Sequence, residues 1–289
     1  MKLLVPLLRP PRPTALVAAV GVALGGCSDN LTHPAEHDAY TSTADIPLSC
    51  VPNLDGSLDA DELGFAVGVT IDYLVSPPGE DRKVDLAGKV DAAGKRTWDW
   101  SEDDGKDKLA SIAAAALTGT WFAASFTEGE YVAPVDVGGS VLGVYRKDDQ
   151  AVWLLGLASA EPDPPAGKTL VVYDDPIALY RFPIEPGATW TSSSTVQNGT
   201  LRGLPYAGKD TYEAKVAAAG RLVLPPIELT QAQEVLLSAL VEPAVGTSVR
   251  TRQASFLFEC FGEVARATSA NDEKDELFTT ATEVRRLGL

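Results

Sequence analysis

Histidine is nearly missing from this 289-residue chain: there are two, His33 and His37, both close to one end. A Ser-His-Asp or Cys-His site in the remaining chain would therefore have no base. Patterns that would cradle phosphate, seat a dinucleotide or hold catalytic zinc are missing too. Basic residues are scarce, with 24 Lys and Arg against 40 Asp and Glu and a formal net charge of −16, which argues against nucleic acid and against electrostatic docking on anionic lipid. No apolar run reaches the roughly 20 residues that a membrane-crossing helix requires. Paired carboxylates such as Asp99 with Glu102, or Asp174 with Asp175, are common in so acidic a chain and do not by themselves make a glycosidase. The expectation is a protein that is not an enzyme.

The first 26 residues have a composition of their own. Lys2, Arg9 and Arg12 are their only charges, and an apolar run from Ala15 to Leu24 follows. That run is too short to span a bilayer and is followed by small residues, the layout of a cleaved export signal. Leu24-Gly25-Gly26-Cys27 resembles the lipobox of bacterial lipoproteins at all four positions. The resemblance implies cleavage before Cys27, a diacylglyceryl thioether on its sulfur and acylation of the new amino group. Several acyl chains, at about 0.8 kcal/mol per buried methylene, hold a protein at a membrane where one chain would bind reversibly. Ser28 after the cysteine leans, by analogy with enterobacterial sorting, towards the outer membrane, facing the periplasm or the cell surface. Residues 27–48 are polar, aperiodic and interrupted by Pro34 and Pro47, and read as a flexible tether spanning roughly 25 Å. His33 and His37 lie in it with Pro34 between them, which makes a metal site there improbable.

Export leaves Cys50 and Cys260 in an oxidising compartment, where an even pair is usually bonded; two separate buried thiols are the alternative. Residues 49–289 read as one β-rich domain. From Leu63 to Val75 apolar residues alternate with small or polar ones, the period of a strand. Shorter runs follow at Val84 to Val90 and Thr97 to Trp100. Val141 to Tyr145 is expected to pair with Val152 to Leu157. Later strands are expected at 178–182, 189–196, 200–204, 212–216, 221–224, 234–241, 248–258, 263–268 and 278–285. Asn198-Gly199 is the strongest hairpin signal. The alanine-rich stretch KDKLASIAAAAL predicts one short helix over 106–117, capped by Asp103 or Asp104. The fold class expected is mainly β, an antiparallel meander forming a curved half-barrel or barrel-like sheet. The proline-rich joint at 161–167 either divides the domain or bridges two sections of one sheet.

Two further motifs bear on function. Tyr180-Arg181-Phe182-Pro183 through Gly187, Trp190 and Leu222-Val223-Leu224-Pro225 resembles a pattern in uncharacterised secreted bacterial lipoproteins. That resemblance implies an antiparallel half-barrel, in some cases likened to lipoprotein-carrier folds. Residues 51–62 resemble an EF-hand calcium loop, with Asn53, Asp55, Asp59 and Glu62 at ligand places and Gly56 at the sharp turn. Val51 replaces the first ligand, so any calcium site would be weak, on the order of 10⁻⁴ to 10⁻³ M; an Asp-Gly turn among solvated acids is the plainer reading. Trp98 and Trp100 share a strand face and are either a sugar-stacking platform or cross-strand packing. Two roles follow: a membrane-anchored domain with a structural or protein-partner-binding function, or a half-barrel carrier of lipid or another apolar ligand. They differ in whether inward residues such as Phe65, Val67, Val69, Ile71 and Tyr73 meet a packed second layer or an open groove.

Overall fold

The computed structural model describes residues 50–64, 67–102 and 104–288. The lipobox with Cys27, both histidines, Phe65 and Asp103 lie outside them. The elements are β1 (Thr70–Val75), β2 (Arg82–Lys83), β3 (Lys89–Val90), β4 (Arg96–Asp99), β5 (Lys108–Ala113) and β6 (Ala115–Ala116). A 3-10 turn at Ala123–Ser125 precedes β7 (Tyr131–Pro134), β8 (Val141–Lys147), β9 (Ala151–Ser159) and β10 (Leu170–Arg181). The remainder are β11 (Thr189–Leu201), β12 (Leu204–Val223), β13 (Glu228–Pro243), β14 (Val249–Phe258), β15 (Gly262–Thr268), β16 (Thr280–Ala281) and β17 (Glu283–Leu287). Among the described residues the 3-10 turn is the sole helical element, and no helix is long and apolar enough to cross a membrane.

Strands β7 to β15 pair in sequence order as an antiparallel meander, and β17, β1 and β5 continue the sheet beyond β15. The far edge is β6, against β7. Only Ala114 separates β5 from β6, so the two ends of the sheet are consecutive pieces of one segment and the sheet nearly closes into a barrel. Closure removes the exposed edges that an open sheet of this width would present.

That closing segment is where the expected helix fails. All six residues of β5 pair with β1, from Thr70 opposite Ala113 to Val75 opposite Lys108. Alanine's helix propensity is worth at most a few tenths of a kcal/mol per residue over its neighbours, whereas a helix here would leave one whole edge of β1 unpaired. Asp107, just ahead of β5, accepts ion pairs from both Arg82 and Arg286 and fixes the chain's entry into the strand. The pattern from Leu63 is also shorter than its alternation: β1 begins at Thr70, and Val67 is exposed in a turn.

The hairpin β8–β9 forms as expected, with Lys147 opposite Val152. Asn198-Gly199 does not turn the chain. It sits at a register shift inside β11, and the reversal comes at Arg202-Gly203, with φ of 50° and 79° as a type I′ turn needs. The Arg202 and Gly203 amides donate to Thr169 Oγ1 and the Lys168 carbonyl, so the proline-rich 160s loop holds this turn. That loop joins two neighbouring strands, since Leu170 pairs with Ala158. Strands β10 and β11 share one backbone pair, Leu170 with Thr200; further along, the amides of Ala178 and Asp175 donate to the hydroxyls of Ser192 and Ser194.

The outer face of β12 to β17 is covered by the excursion between β1 and β5. Trp98 and Trp100 lie edge-on to Phe256, each with ring centroids 5.0 Å away, and their indole N–H groups donate to the Leu86 and Asp85 carbonyls. Both are buried core residues, so neither forms a sugar platform. Strand β4 runs parallel to β12, and a Cβ on Gly220 would come within 2.6 Å of the Arg96 carbonyl oxygen, so only glycine allows that approach. Around the 3-10 turn, Phe122 and Phe126 cover the outward faces of Val132 and Val144.

Candidate ligand-binding cavity

Within residues 50–63, Leu58 and Leu63 are buried against the sheet while residues 51–55 stay exposed. Leu58 exchanges both backbone hydrogen bonds with Ile184, at 3.0 and 2.9 Å. Leu58 and Leu63 are buried with Val152, Tyr180, Val235 and Leu257. The Cys50–Cys260 disulfide, with Cα atoms 5.5 Å apart, ties this segment to the turn after β14, and the Cys260 amide donates to the Glu62 carbonyl at 2.7 Å. The sequence separation of 210 residues is thus bridged as expected.

The acidic loop beside it is organised around its own backbone. Glu62 accepts from Asn53 Nδ2 at 2.5 Å through one carboxylate oxygen and from the Asp59 amide at 2.9 Å through the other. Asn53 and Asp55 accept from the Asp55 and Ser57 amides. Glu259 holds the Asn53 and Leu54 amides from outside the motif. Burial, followed by repulsion from Glu259, Asp55 and Asp59, raises the Glu62 carboxyl above its usual range, although the Asp59 amide pulls the other way. Among the described residues no three His, Cys, Asp or Glu groups are placed to share a metal.

Above this segment the barrel keeps a cavity of about 420 Å³, within the range of small-molecule sites. Leu63 is in its wall, as are Val69, Ile71 and Tyr73. Ile71, Ile112, Leu237, Ala239 and Val241 all line it and are only partly buried although the sheet surrounds them, because they face space instead of a second layer. Tyr131 and Tyr145, opposite each other on β7 and β8, stack with centroids 5.5 Å apart on the wall. A second cavity of about 430 Å³ lies outside, by the excursion between β1 and β5. Its lining is dominated by charged side chains, several already paired, Arg82 with Asp104 and Lys106 with Glu80, which makes the apolar interior the better candidate.

One side of the interior is polar. Arg266 and Arg285 are directly opposite on β15 and β17. Arg285 donates to Glu263 Oε1 through Nε at 2.8 Å and also through Nη2. Ser255 Oγ donates to Glu263 Oε2 at 3.0 Å, and Tyr73 Oη donates to the Glu263 carbonyl at 2.7 Å. Arg266 spends Nη2 on the Val135 carbonyl at 3.0 Å. Burial pushes the Glu263 carboxyl up, but Arg266 and Arg285 outweigh it and hold it below the usual carboxylate range. Burial, reinforced by Glu263, pushes the Tyr73 phenol up to about 12, and burial pushes Tyr145 up to about 12. Arg285 Nη1 and Arg266 Nε are buried without a hydrogen-bond partner among the described residues.

Sequence reasoning named Tyr73 only as an inward strand residue and missed Glu263, Arg266 and Arg285. The available signal was a charge beside buried aliphatic residues, Glu263 and Arg266 around Val264-Ala265 and Arg285 after Val284, although strand alternation alone would put Glu263 and Arg266 on opposite faces and only a register shift in β15 brings them together. Compared with known proteins, the chain gives no significant match to a family model, a curated protein or a solved structure.

Proposed function

We propose that this protein binds or carries an apolar ligand inside its barrel, and that it does so at a bacterial cell envelope, tethered through a lipidated Cys27. The observation that carries the binding reading is the interior of about 420 Å³ lined mainly by aliphatic side chains and tyrosines. A purely structural or partner-binding domain would fill that space, since protein interiors are otherwise close-packed. The tether rests on Leu24-Gly25-Gly26-Cys27 and the composition of the residues ahead of it. The role is binding without catalysis.

The test is native mass spectrometry of protein purified without detergent, alongside titration with an apolar fluorescent probe. Bound lipid mass, or saturable enhancement that Ala239→Trp abolishes by filling the cavity, is the expected result. Absence of both, with Ala239→Trp folding as well as wild type, overturns the binding reading. Separately, Cys27→Ser should abolish acyl labelling and release the protein from membranes; unchanged labelling overturns the anchor.

A further inference from the structure

The ionisable side chains of the cavity wall, tyrosines aside, are Glu263, Arg266 and Arg285, so the wall itself carries one more positive than negative charge. This sits inside a chain whose net charge is −16. Glu283 pairs with Arg266 from outside the wall, 3.8 Å from its Nη2, which balances the local charge but lies beyond hydrogen-bond range and fills no donor. A guanidinium withdrawn from water needs its charge and its N–H groups matched. Glu263 satisfies Nε and Nη2 of Arg285 and leaves Nη1. Arg266 Nε approaches Glu263 Oε1 only at 3.7 Å. Around these donors Leu257 lies opposite Glu263 in register, Tyr180 Oη donates to Glu263 Oε2 at 3.4 Å, and Arg266 Nη1 reaches Gln253 Oε1 at 3.5 Å.

Building on the apolar-ligand reading above, we propose that the occupant is a single-chain amphiphile with one anionic head group. Its chain lies along Ile71, Ile112, Leu237 and Val241, and its carboxylate or phosphate is held at Arg285 and Arg266. The head takes the hydrogen-bond directions that Glu263 does not fill, as charge-assisted bonds. A cationic head would meet two guanidiniums, and a neutral head would give their open donors no charged acceptor. The acidic exterior does not compete, because Glu263 is the one carboxylate in the wall.

The experiment compares four probes of one chain length on the wild-type protein: dodecanoate, dodecyl phosphate, dodecanol and dodecylammonium, each by displacement of a bound fluorescent probe. The anionic pair should bind at least about tenfold more tightly than dodecanol, a difference of about 1.4 kcal/mol, with dodecylammonium the weakest. Dodecanoate against dodecyl phosphate decides which anion the site prefers. Arg285→Met should erase the advantage over dodecanol. Should that variant not fold, the wild-type series alone still decides. Equal affinity for dodecanoate and dodecanol, or preference for the ammonium, overturns the head-group assignment and leaves apolar binding intact. Failure of all four to bind overturns the apolar reading itself.

Discussion

Arg266 and Arg285 face each other across β15 and β17, and the Glu263 carboxylate reaches both, bonded to Arg285 and 3.7 Å from Arg266. Two buried cations side by side depend chiefly on that anion, since Glu283 reaches only Arg266, at 3.8 Å. Replacing Glu263 with Gln should therefore destabilise the protein by about 3 to 5 kcal/mol, the cost of stranding buried charge. Urea denaturation at neutral pH measures it. The stabilisation from this carboxylate, whose folded pKa is depressed, is present above the usual carboxylate range and is lost as the pH falls through its folded value. Wild type should thus show an acid-side loss that Glu263→Gln lacks; identical acid profiles would mean that the carboxylate does not pair in solution.

Glu234 behaves in the opposite sense. It is buried on β13 opposite Phe256, and burial raises its carboxyl to about 8; Arg96 and Lys215 lower it and Asp85 and Glu276 raise it further. The unfolded chain releases this proton near 4.5 and the folded chain near 8, so stability should fall as pH rises between those values and level off above. The size is on the order of a few kcal/mol. Urea midpoints across that window test this. Glu234→Gln should remove the slope, and a slope unchanged in that variant would assign it to other groups.

The disulfide closes a loop of 210 residues. By the chain-entropy model, reduction should cost about 5 kcal/mol. Alkylation of denatured, unreduced protein should modify neither Cys50 nor Cys260, and Cys260→Ser should lower the denaturation midpoint accordingly. Because Leu58 and Leu63 lie under the cavity, the variant should also lose affinity for the apolar probe. Full affinity would show that Leu58 and Leu63 hold their places without the bond.

Both carboxylate oxygens of Glu62 are committed to Asn53 and Asp59, so calcium would have to break local bonds to recruit it. Millimolar Ca²⁺ against chelator should raise the melting temperature by on the order of a degree at most. A rise of many degrees at micromolar Ca²⁺ would show that the loop rearranges into a genuine site.

What was legible in the sequence was local. The β8–β9 hairpin could be read because its alternation and its Lys147-Asp148-Asp149-Gln150 turn are contiguous, and the cysteine pair because, with Cys27 assigned to the lipobox, parity leaves Cys50 and Cys260 to each other. Residues 106–117 misled because alanine records a helical preference that ring closure overrides. Asn198-Gly199 misled because positive-φ tolerance serves a bulge as readily as a turn, and the true turn at Arg202 depends on a loop more than thirty residues earlier in the chain. The polar wall draws on β1, β10, β14, β15 and β17, and no spacing announces that Tyr73 and Arg285 will meet.

The ring of strands is unevenly fastened. Between β6 and β7 it is joined by two residue pairs, Ala115 with Val132 and Ala116 with Tyr131, and between β10 and β11 by a single backbone pair. Two thin joints on one hoop divide it into two staves, β7 to β10 and β11 round to β5, each continuously laddered within itself. Few backbone ladder bonds would have to break for the hoop to part at these two places, although side-chain bonds such as those of Ser192 and Ser194 still join β10 to β11. Amide hydrogen exchange should find Ala115, Ala116 and the β10 and β11 amides beside Ser192 and Ser194 exchanging well before the centres of β12 and β13. Uniform protection around the ring would mean that the barrel opens, if at all, only by unfolding as a whole.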